Sequence, residues 1–352
     1  MEQPTVKFAL HTEVQEAYRD NFSRHLLGIA RYLQSETMNA LQQRYGHKYL
    51  RLAFAPYITL LGQQGKRSTE LADLLGISRQ ACNQAVNQIE AAGYLERAAD
   101  PRDRRAKLLV LTSLGMQLRK DGTRVVTSLD EQLTHIAGQS ASDDTRETLL
   151  KIHRGLQPGA TEHAAVSIPG TPLGALLPLL GDHVVQRLMA LTREKGHPGL
   201  KLSFGQVLTL IGPAGGKIQQ IARLQDVSKQ AISVIASELE QLGYLYRQAD
   251  PMDARQVVLQ FTGRGHDLIA DSVSSVDELE AEFAALAGSA AVARMCGTLR
   301  ALYGALQLER EIFEQTSPTD IRLLAQQLWR QLGAKDSRAL AQLLLSPASN
   351  ER

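Results

Sequence analysis

The chain has 352 residues, of which 43% are apolar and 22% charged, with a formal net charge of +2. This length allows two or three domains that each bury a core, and the ordinary composition excludes a disordered or collagen-like chain. A balance this close to neutral does not by itself point to a nucleic-acid partner, so the distribution of charge matters more than its sum.

The start, MEQPTVKFAL, lacks the basic flank and long apolar core of a secretory signal. From Val14 to about Tyr45, apolar residues recur at helical spacing: Val14, Ala17, Tyr18, Phe22, Leu26, Ile29, Leu33, Met38 and Leu41. A second, short helix is predicted over Leu52–Leu61, followed by a turn at Gly62–Gly65. Ser68 is the predicted N-cap of a third helix that stops at Gly76, and Ser78 caps a fourth that runs to Ala92. Two helices joined through Gly76-Ile77 fit a helix-turn-helix.

After Gly93 the period changes. Tyr94–Ala98 and Lys107–Leu111 read as two strands around a polar tip at Asp100–Arg105, and Thr112 caps a long helix reaching about Ile136. The segment Gly155–Gly174 is rich in Pro, Gly, Ala, Ser and Thr and reads as a junction. The most apolar stretch near the middle of the chain, IPGTPLGALLPLL, is too short and too interrupted to span a bilayer.

The same grammar then repeats. Leu41–Gly115 aligns with Leu191–Gly265 at a constant offset of 150 residues without a gap, and about 28 of the 75 pairs are identical where chance gives roughly 5. Predicted elements of the second copy are Ile218–Asp226, Ser228–Leu242, Tyr244–Ala249, Val257–Phe261 and a helix from Thr262. Domain boundaries follow at 1–155, a linker at 156–174, 175–312, and an extension at 313–352. In the extension Ser317 or Thr319 opens one helix and Asp336-Ser337 another.

Chemistry concentrates in the fourth helix and the hairpin. At 100° per residue, Ala81, Cys82, Ala85, Val86, Ile89 and Ala92 fall on one side. The other side carries Gln80, Asn83, Gln84 and Asn87, flanked by Arg79 and Gln88. An ordinary solvated face would favour Lys and Glu, whereas neutral amides donate and accept together and suit base edges in a major groove. A hairpin tip bearing Arg102, Arg104 and Arg105 can reach a minor groove or flanking phosphates. Asp103 and Arg105, with twins Asp253 and Arg255, read as a pair that fixes the tip.

The run from Ser68 through LADLLGIS, IEAAGYLER and DRRAKLLVLTSLG to Gly115 resembles the MarR family of bacterial winged-helix regulators. The likeness covers about residues 20–150 well and Leu191–Gly265 with weaker motifs. It implies Ser78–Asn87 as recognition helix, Asp103 and Arg105 in the wing, and Thr112 with Gly115 opening the next helix. Family members pair through terminal helices, so two copies in one chain imply a fused pseudo-dimer. The expected fold is mainly α with small β-hairpin wings, two winged helix-turn-helix domains on a shared helical layer. The implied partner is double-stranded DNA with a near-palindromic or asymmetric operator, bound by a cytoplasmic protein that needs no cofactor.

The candidate DNA-contacting set is Ser78, Arg79, Gln80, Asn83, Gln84, Asn87, Arg102, Arg104 and Arg105, with Ser228, Lys229, Gln230, Ser233, Ser237 and Arg255 in the second copy. Between copies Gln84 becomes Val234, and Arg102 and Arg104 become Met252 and Ala254, so the first copy is expected to be the stronger reader. Relatives are often released from DNA by small aromatic or amphipathic acids held between helical layer and winged helix. That reading would use Phe22, Tyr45, Tyr49 and Tyr57, against the plainer reading of these aromatics as core.

Cys82 and Cys296 have no disulfide or metal spacing and read as buried apolar residues, although oxidant sensing is known among relatives. His47 and His197 read as turn residues rather than ligands, and none of the nine histidines has paired metal spacing. There is no glycine-rich phosphate loop, nucleophile elbow or carboxylate pair with a positioned base, so an enzyme is not expected. The rival reading is a protein-interaction module whose second winged helix, or the Ser317–Leu345 helices, engages another regulator or a second copy of the chain.

Overall fold

The computed structural model describes residues 13–62, 65–100, 103–156, 171–211, 215–224 and 227–308; the side chains of 103–106, 206, 224 and 253–255 lie outside that description. The expected extension at 313–352 and most of the linker therefore fall outside the described residues. Residues up to Leu308 form one compact unit. None of its described helices is long and apolar enough to cross a membrane.

Helix α1 (13–19) leads into α2 (Phe22–Asn39), whose N-terminus is closed by Asn21 accepting the Arg24 N–H at 3.0 Å. A π-helical turn, Ala40–Arg44, ends it. The helices α3 (Ala55–Leu61), α4 (Ser68–Leu75) and α5 (Arg79–Ala91) follow, then strands β1 (Leu95–Asp100) and β2 (Asp103–Leu111). Two further helices, α6 (Ser113–Ala137) and α7 (Gln139–Leu156), complete the first copy. The second copy runs α8 (Leu173–Glu194), α9 (Leu202–Leu210), β3 (Gly216–Lys217), α10 (Ile218–Leu224), α11 (Lys229–Gln241), β4 (Leu245–Asp250), β5 (Asp253–Phe261), α12 (Gly263–Ala287) and α13 (Ser289–Ala305).

Most boundaries have a local cause. Gly76 ends α4 in the left-handed region at φ +63, where a side chain would be strained. Ser78 caps α5 by accepting the Ala81 N–H at 3.2 Å, and Ser228 does the same for α11 at 3.1 Å. Ser68, expected as the cap of α4, is instead its first residue. Arg67 takes the cap position and donates its backbone N–H to Glu70 Oε2 at 2.9 Å, because the Ser68 hydroxyl is held by Asn83 Oδ1 at 2.6 Å.

The strands extend further toward each other than the sequence implied. Asp100 pairs with Asp103, so the tip shrinks to Pro101-Arg102, and Arg104 and Arg105 belong to β2. A short third strand was missed: β3 pairs Gly216 with Leu259, and its counterpart in the first copy is the Lys66–Leu109 bridge. Gly115 and Gly265 begin the long helices directly under the strand entry. A Cβ on either would lie 1.9 Å from the Tyr94 carbonyl oxygen or 2.1 Å from that of Tyr244, so only glycine fits.

Three apolar cores result. One fills the first winged helix, from Phe54 and Ile58 to Ile89 and Leu109. One fills the second, from Phe204 and Ile232 to Leu259. The third is shared: Leu26, Ile29, Leu133, Leu149 and Ile152 of the first copy interleave with Leu180, Val184, Leu279, Phe283, Leu299 and Leu302 of the second. Phe22 meets Phe283 edge to face at 5.9 Å. Helix α1 reinforces the interlock, since its Val14 and Tyr18 pack on the winged-helix core of the other copy.

Equivalent positions of the two copies meet beside the shared core. Asp144 on α7 pairs with Arg294 on α13 at 3.2 Å, and these residues are 150 apart, the same position in each copy. Both side chains are about half exposed, so this pair contributes at most about 1 kcal/mol. Each large apolar side chain buried in the shared core contributes roughly 1.5–3 kcal/mol, and the apolar contacts therefore decide the association.

A second repeated device joins each winged helix to the layer. Asp121 on α6 accepts from His47 Nε2 at 3.1 Å, and Asp271 on α12 from His197 Nε2 at 2.9 Å. His197 Nδ1 lies 3.1 Å from the Tyr244 hydroxyl, while the Tyr94 hydroxyl donates to the Lys48 carbonyl at 2.8 Å. The two histidines, expected as plain turn residues, are thus buried links between the turn, the wing entry and the long helix. Burial alone would push the Asp121 carboxyl up, but hydrogen bonds from Gln117 and His47 outweigh it and hold it below the usual carboxylate range.

The two pairs differ in exposure: the Asp121 side chain is 2% exposed and that of Asp271 38%. Asp121→Ala should therefore cost about 3 kcal/mol, as breaking a buried pair does, and Asp271→Ala about 1 kcal/mol. Denaturant titration of both variants checks this, and equal losses would contradict it. Because the Asp121 pKa is depressed, its contribution is complete above about pH 4 and fades only as pH falls through the lower folded value. Gly115→Ala should cost about 3 kcal/mol through the clash with Tyr94, whereas Gly122→Ala, with open space at its Cβ, should be neutral or stabilising in the same titration.

Candidate nucleic-acid interface

Helix α5 buries Cys82, Val86 and Ile89 against the winged-helix core and leaves Arg79, Gln80, Asn83, Gln84 and Asn87 in solvent. Ala81, which the projection put on the core side, is exposed near the helix start. The amides are not equivalent. Asn83 Oδ1 accepts the Ser68 hydroxyl at 2.6 Å, and Asn87 Oδ1 accepts from Arg97 Nη2 at 2.7 Å. The side chains of Gln80 and Gln84 make no hydrogen bond among the described residues. Arg97 also pairs with Glu90, and Arg51 donates to Gln88 Oε1 at 3.0 Å.

The wing is held near its tip end. Arg67 donates to buried Asp100 through Nε at 2.9 Å and Nη2 at 2.6 Å, and Lys217 pairs with Asp250 at 2.8 Å in the second copy. Sequence reading missed both pairs and assigned the fixing role to Asp103 with Arg105. Those side chains, like Asp253 and Arg255, lie outside the described residues, as do Arg102 and the side chain of Arg104. The signal was present nonetheless: Asp100 and Asp250 are identical twins, and position 67 or 217 keeps a cation. Two further cations of the same basic run, Arg97 and Lys107, were left out of the expected contact set. In the β1–β2 register Arg97 and Lys107 fall on the same sheet face, the one turned to α5 by the Arg97–Asn87 bond.

Helix α11 has the same frame and a different surface. Ser228, Lys229, Gln230 and Val234 are exposed, with Val234 at 59%. Ser233 and Ser237 are half-buried and engaged internally. Arg247 Nη2 donates to the Ser233 carbonyl and to Ser237 Oγ, both at 2.9 Å, and Ser237 Oγ donates to the Ser233 carbonyl at 3.0 Å. Lys201 pairs with Glu238 at 2.8 Å, where the first copy has the neutral partner Gln88.

Charge follows the same trend. Residues 51–112 hold nine cations and six anions, a net of +3, while 201–262 hold six and five, a net of +1. Three polar positions of the first copy become exposed apolar ones in the second: Gln84, Glu96 and Lys107 give Val234, Tyr246 and Val257.

The four aromatics expected at a ligand pocket are not gathered together. Phe22 lies in the shared core, Tyr57 in the first winged-helix core with Tyr45 against it, and Tyr49 is 81% exposed with a left-handed backbone at φ +58. Three of the four serve two different cores, and Tyr49 serves neither. Both cysteines are reduced; Cys82 is fully buried with its Sγ 3.4 Å from the Ser68 carbonyl. Burial pushes the Cys296 thiol up to about 12, which keeps it protonated and unreactive at neutral pH.

A model of the MarR family matches residues 57–106 and, separately, 199–256, the two helix-turn-helix and wing segments just described. Among solved structures, the transcriptional regulator Tm0710 from Thermotoga maritima is 28% identical, with 33% of this chain and 80% of that one covered and a TM-score of 0.25. The YusO protein from Bacillus subtilis is 19% identical, covering 39% and 95% of the two chains, with a TM-score of 0.28. No curated protein matches the chain. The profile matches fall on both copies and end at the same offset of 150, at residues 106 and 256. Each of the two matched segments is thus similar to the MarR family's winged helix-turn-helix module, which the chain carries twice in tandem.

Proposed function

We propose that the chain is a sequence-specific double-stranded DNA-binding regulator that works as a fused pseudo-dimer, with the first winged helix the stronger reader. In this reading residues 1–155 and 175–312 are the two halves, 156–174 joins them, and 313–352 follows as an extension. The observation that carries it is the exposed amide face of α5 beside a wing held near its tip end by Arg67 and Asp100. Neutral amides satisfy base edges, and the cations at the wing and strand satisfy phosphates. Fusion replaces subunit association with a high effective concentration, so binding should not depend on a monomer–dimer equilibrium.

The set assigned to the first half-site is Ser78, Arg79, Gln80, Asn83, Gln84, Asn87, Arg102, Arg104 and Arg105, to which Arg97 and Lys107 are added. The second half-site is assigned to Ser228, Lys229, Gln230 and Arg255, with Ser233 and Ser237 in supporting positions because Arg247 holds them. A second reading is favoured by one observation, the exposed Val234, Tyr246 and Val257, which suit a protein partner for the second winged helix.

Binding of genomic duplex fragments at several salt concentrations separates the two. Replacing Arg102 and Arg104 together by Ala should weaken binding at least tenfold and reduce the salt slope by about 2, whereas Lys229→Ala should change the slope by at most about 1. Equal losses would remove the asymmetry. Absence of sequence-selective binding even at low salt would leave the interaction module.

A further inference from the structure

We infer that one position, Gln84 in the first copy and Val234 in the second, makes the two half-sites different: Gln84 takes an adenine and Val234 the C5-methyl group of a thymine. The inference rests on the proposed DNA-binding function and assigns bases to it.

The first step is elimination among the amides. A bidentate contact to adenine needs one acceptor for N6–H and one donor for N7, both from the same amide. Asn83 and Asn87 each have one lone pair of the amide oxygen engaged, by Ser68 and Arg97, so their amides are held within the protein and are not free to turn to a base edge. Gln80 and Gln84 are exposed with both ends of the amide uncommitted among the described residues, so among the amides of α5 they are the ones free to present the adenine pattern without breaking an internal bond. They sit four residues apart, on one face and about 6 Å along the helix axis. That distance corresponds to roughly two base steps at 3.4 Å each.

The second step is the comparison between copies. Gln80 is retained as Gln230, exposed at the same place on α11, so both half-sites should share an adenine there. Its neighbour one turn on becomes Val234, still 59% exposed. An isopropyl group offers no donor or acceptor, and an adenine edge beneath it would lose water without replacement. The apolar feature that a base pair presents in the major groove is the thymine methyl. The polar groups that might otherwise read this position, the Ser233 carbonyl and the Ser237 hydroxyl, are turned to Arg247. The second copy therefore reads one base by hydrogen bonds and one by shape, and its half-site carries less sequence information.

Selection of bound duplexes from a randomised library with the full chain tests this, followed by the variants V234Q and Q84V. The expected result is an operator with a common adenine in both halves and, about two steps away, adenine in one half and thymine in the other. V234Q should switch the thymine half to adenine by about tenfold or more, leaving the other half unchanged, and Q84V should do the converse. Deoxyuridine in place of that thymine removes only the methyl group; it should weaken the wild type about fourfold and leave V234Q unaffected. A chain that selects a sequence with identical halves, or a preference that V234Q and deoxyuridine do not move, overturns the base assignment while the DNA-binding function stands. Absence of any sequence selection overturns both.

Discussion

Burial of one apolar layer between two copies of the same fold is the constraint on which the molecule depends. Neither set of long helices could cover its apolar face alone. Leu26, Ile29, Leu149 and Ile152 need Leu180, Phe283, Leu299 and Leu302 opposite them, and the reverse holds equally. The winged helices have their own cores and are mounted on the layer through the repeated histidine–aspartate links and through α1, which crosses to the other copy. The spacing and relative orientation of the recognition helices are thus set by packing far from any base.

Fusion removes a restriction that a symmetric pair of chains obeys. Around a true twofold axis a residue near the axis faces itself, so a charge there meets its own sign. Here Asp144 faces Arg294, one position filled with opposite charges. Asp130 shows a different use of the same freedom. It accepts the Leu173 backbone N–H at 2.6 Å and pairs with Arg146 at 3.1 Å, so a helix of the first copy closes the N-terminus of the helix that opens the second. The attachment of the winged helices differs too. The first follows a π-helical turn at Ala40–Arg44, whereas α8 runs as regular helix to Glu194, with Arg187 and Lys195 paired to Glu282 and Glu278 on α12. Divergence on the exposed faces of α5 and α11 is part of the same pattern, in which core and caps stay alike and surfaces drift apart.

Much of this was legible in the residues. Ser78, Ser228, Thr112 and Thr262 announce helix starts because a hydroxyl at that position must satisfy an orphan N–H, and each does so. The buried side of α5 followed from its period. Errors arose where a side chain had two uses and only the distant one was realised. Ser68 gave up a local cap for Asn83, fifteen residues away, and Asp100 is held by Arg67, thirty-three residues away. Local pattern cannot rank such competing partners, since the distant one exists only after the chain has folded. The short β3 strand was invisible for a related reason: two residues have no period, and their pairing with Leu259 and Val258 is entirely long-range.

By itself the sequence determined the duplication, the element types, the buried and exposed sides of α5 and the contrast between the copies, because these depend on residue identity at fixed spacing. Tertiary structure decided which polar groups remain free to read anything. Four amides look alike on a helical wheel, yet Asn83 and Asn87 are occupied and Gln80 and Gln84 are not. Two histidines that read as turn residues became buried links, and aromatics at helical spacing were distributed to separate cores. The physical reason is common to all of these: a hydrogen bond or a contact is a property of two positions in space, and the sequence specifies each position without specifying which others will reach it.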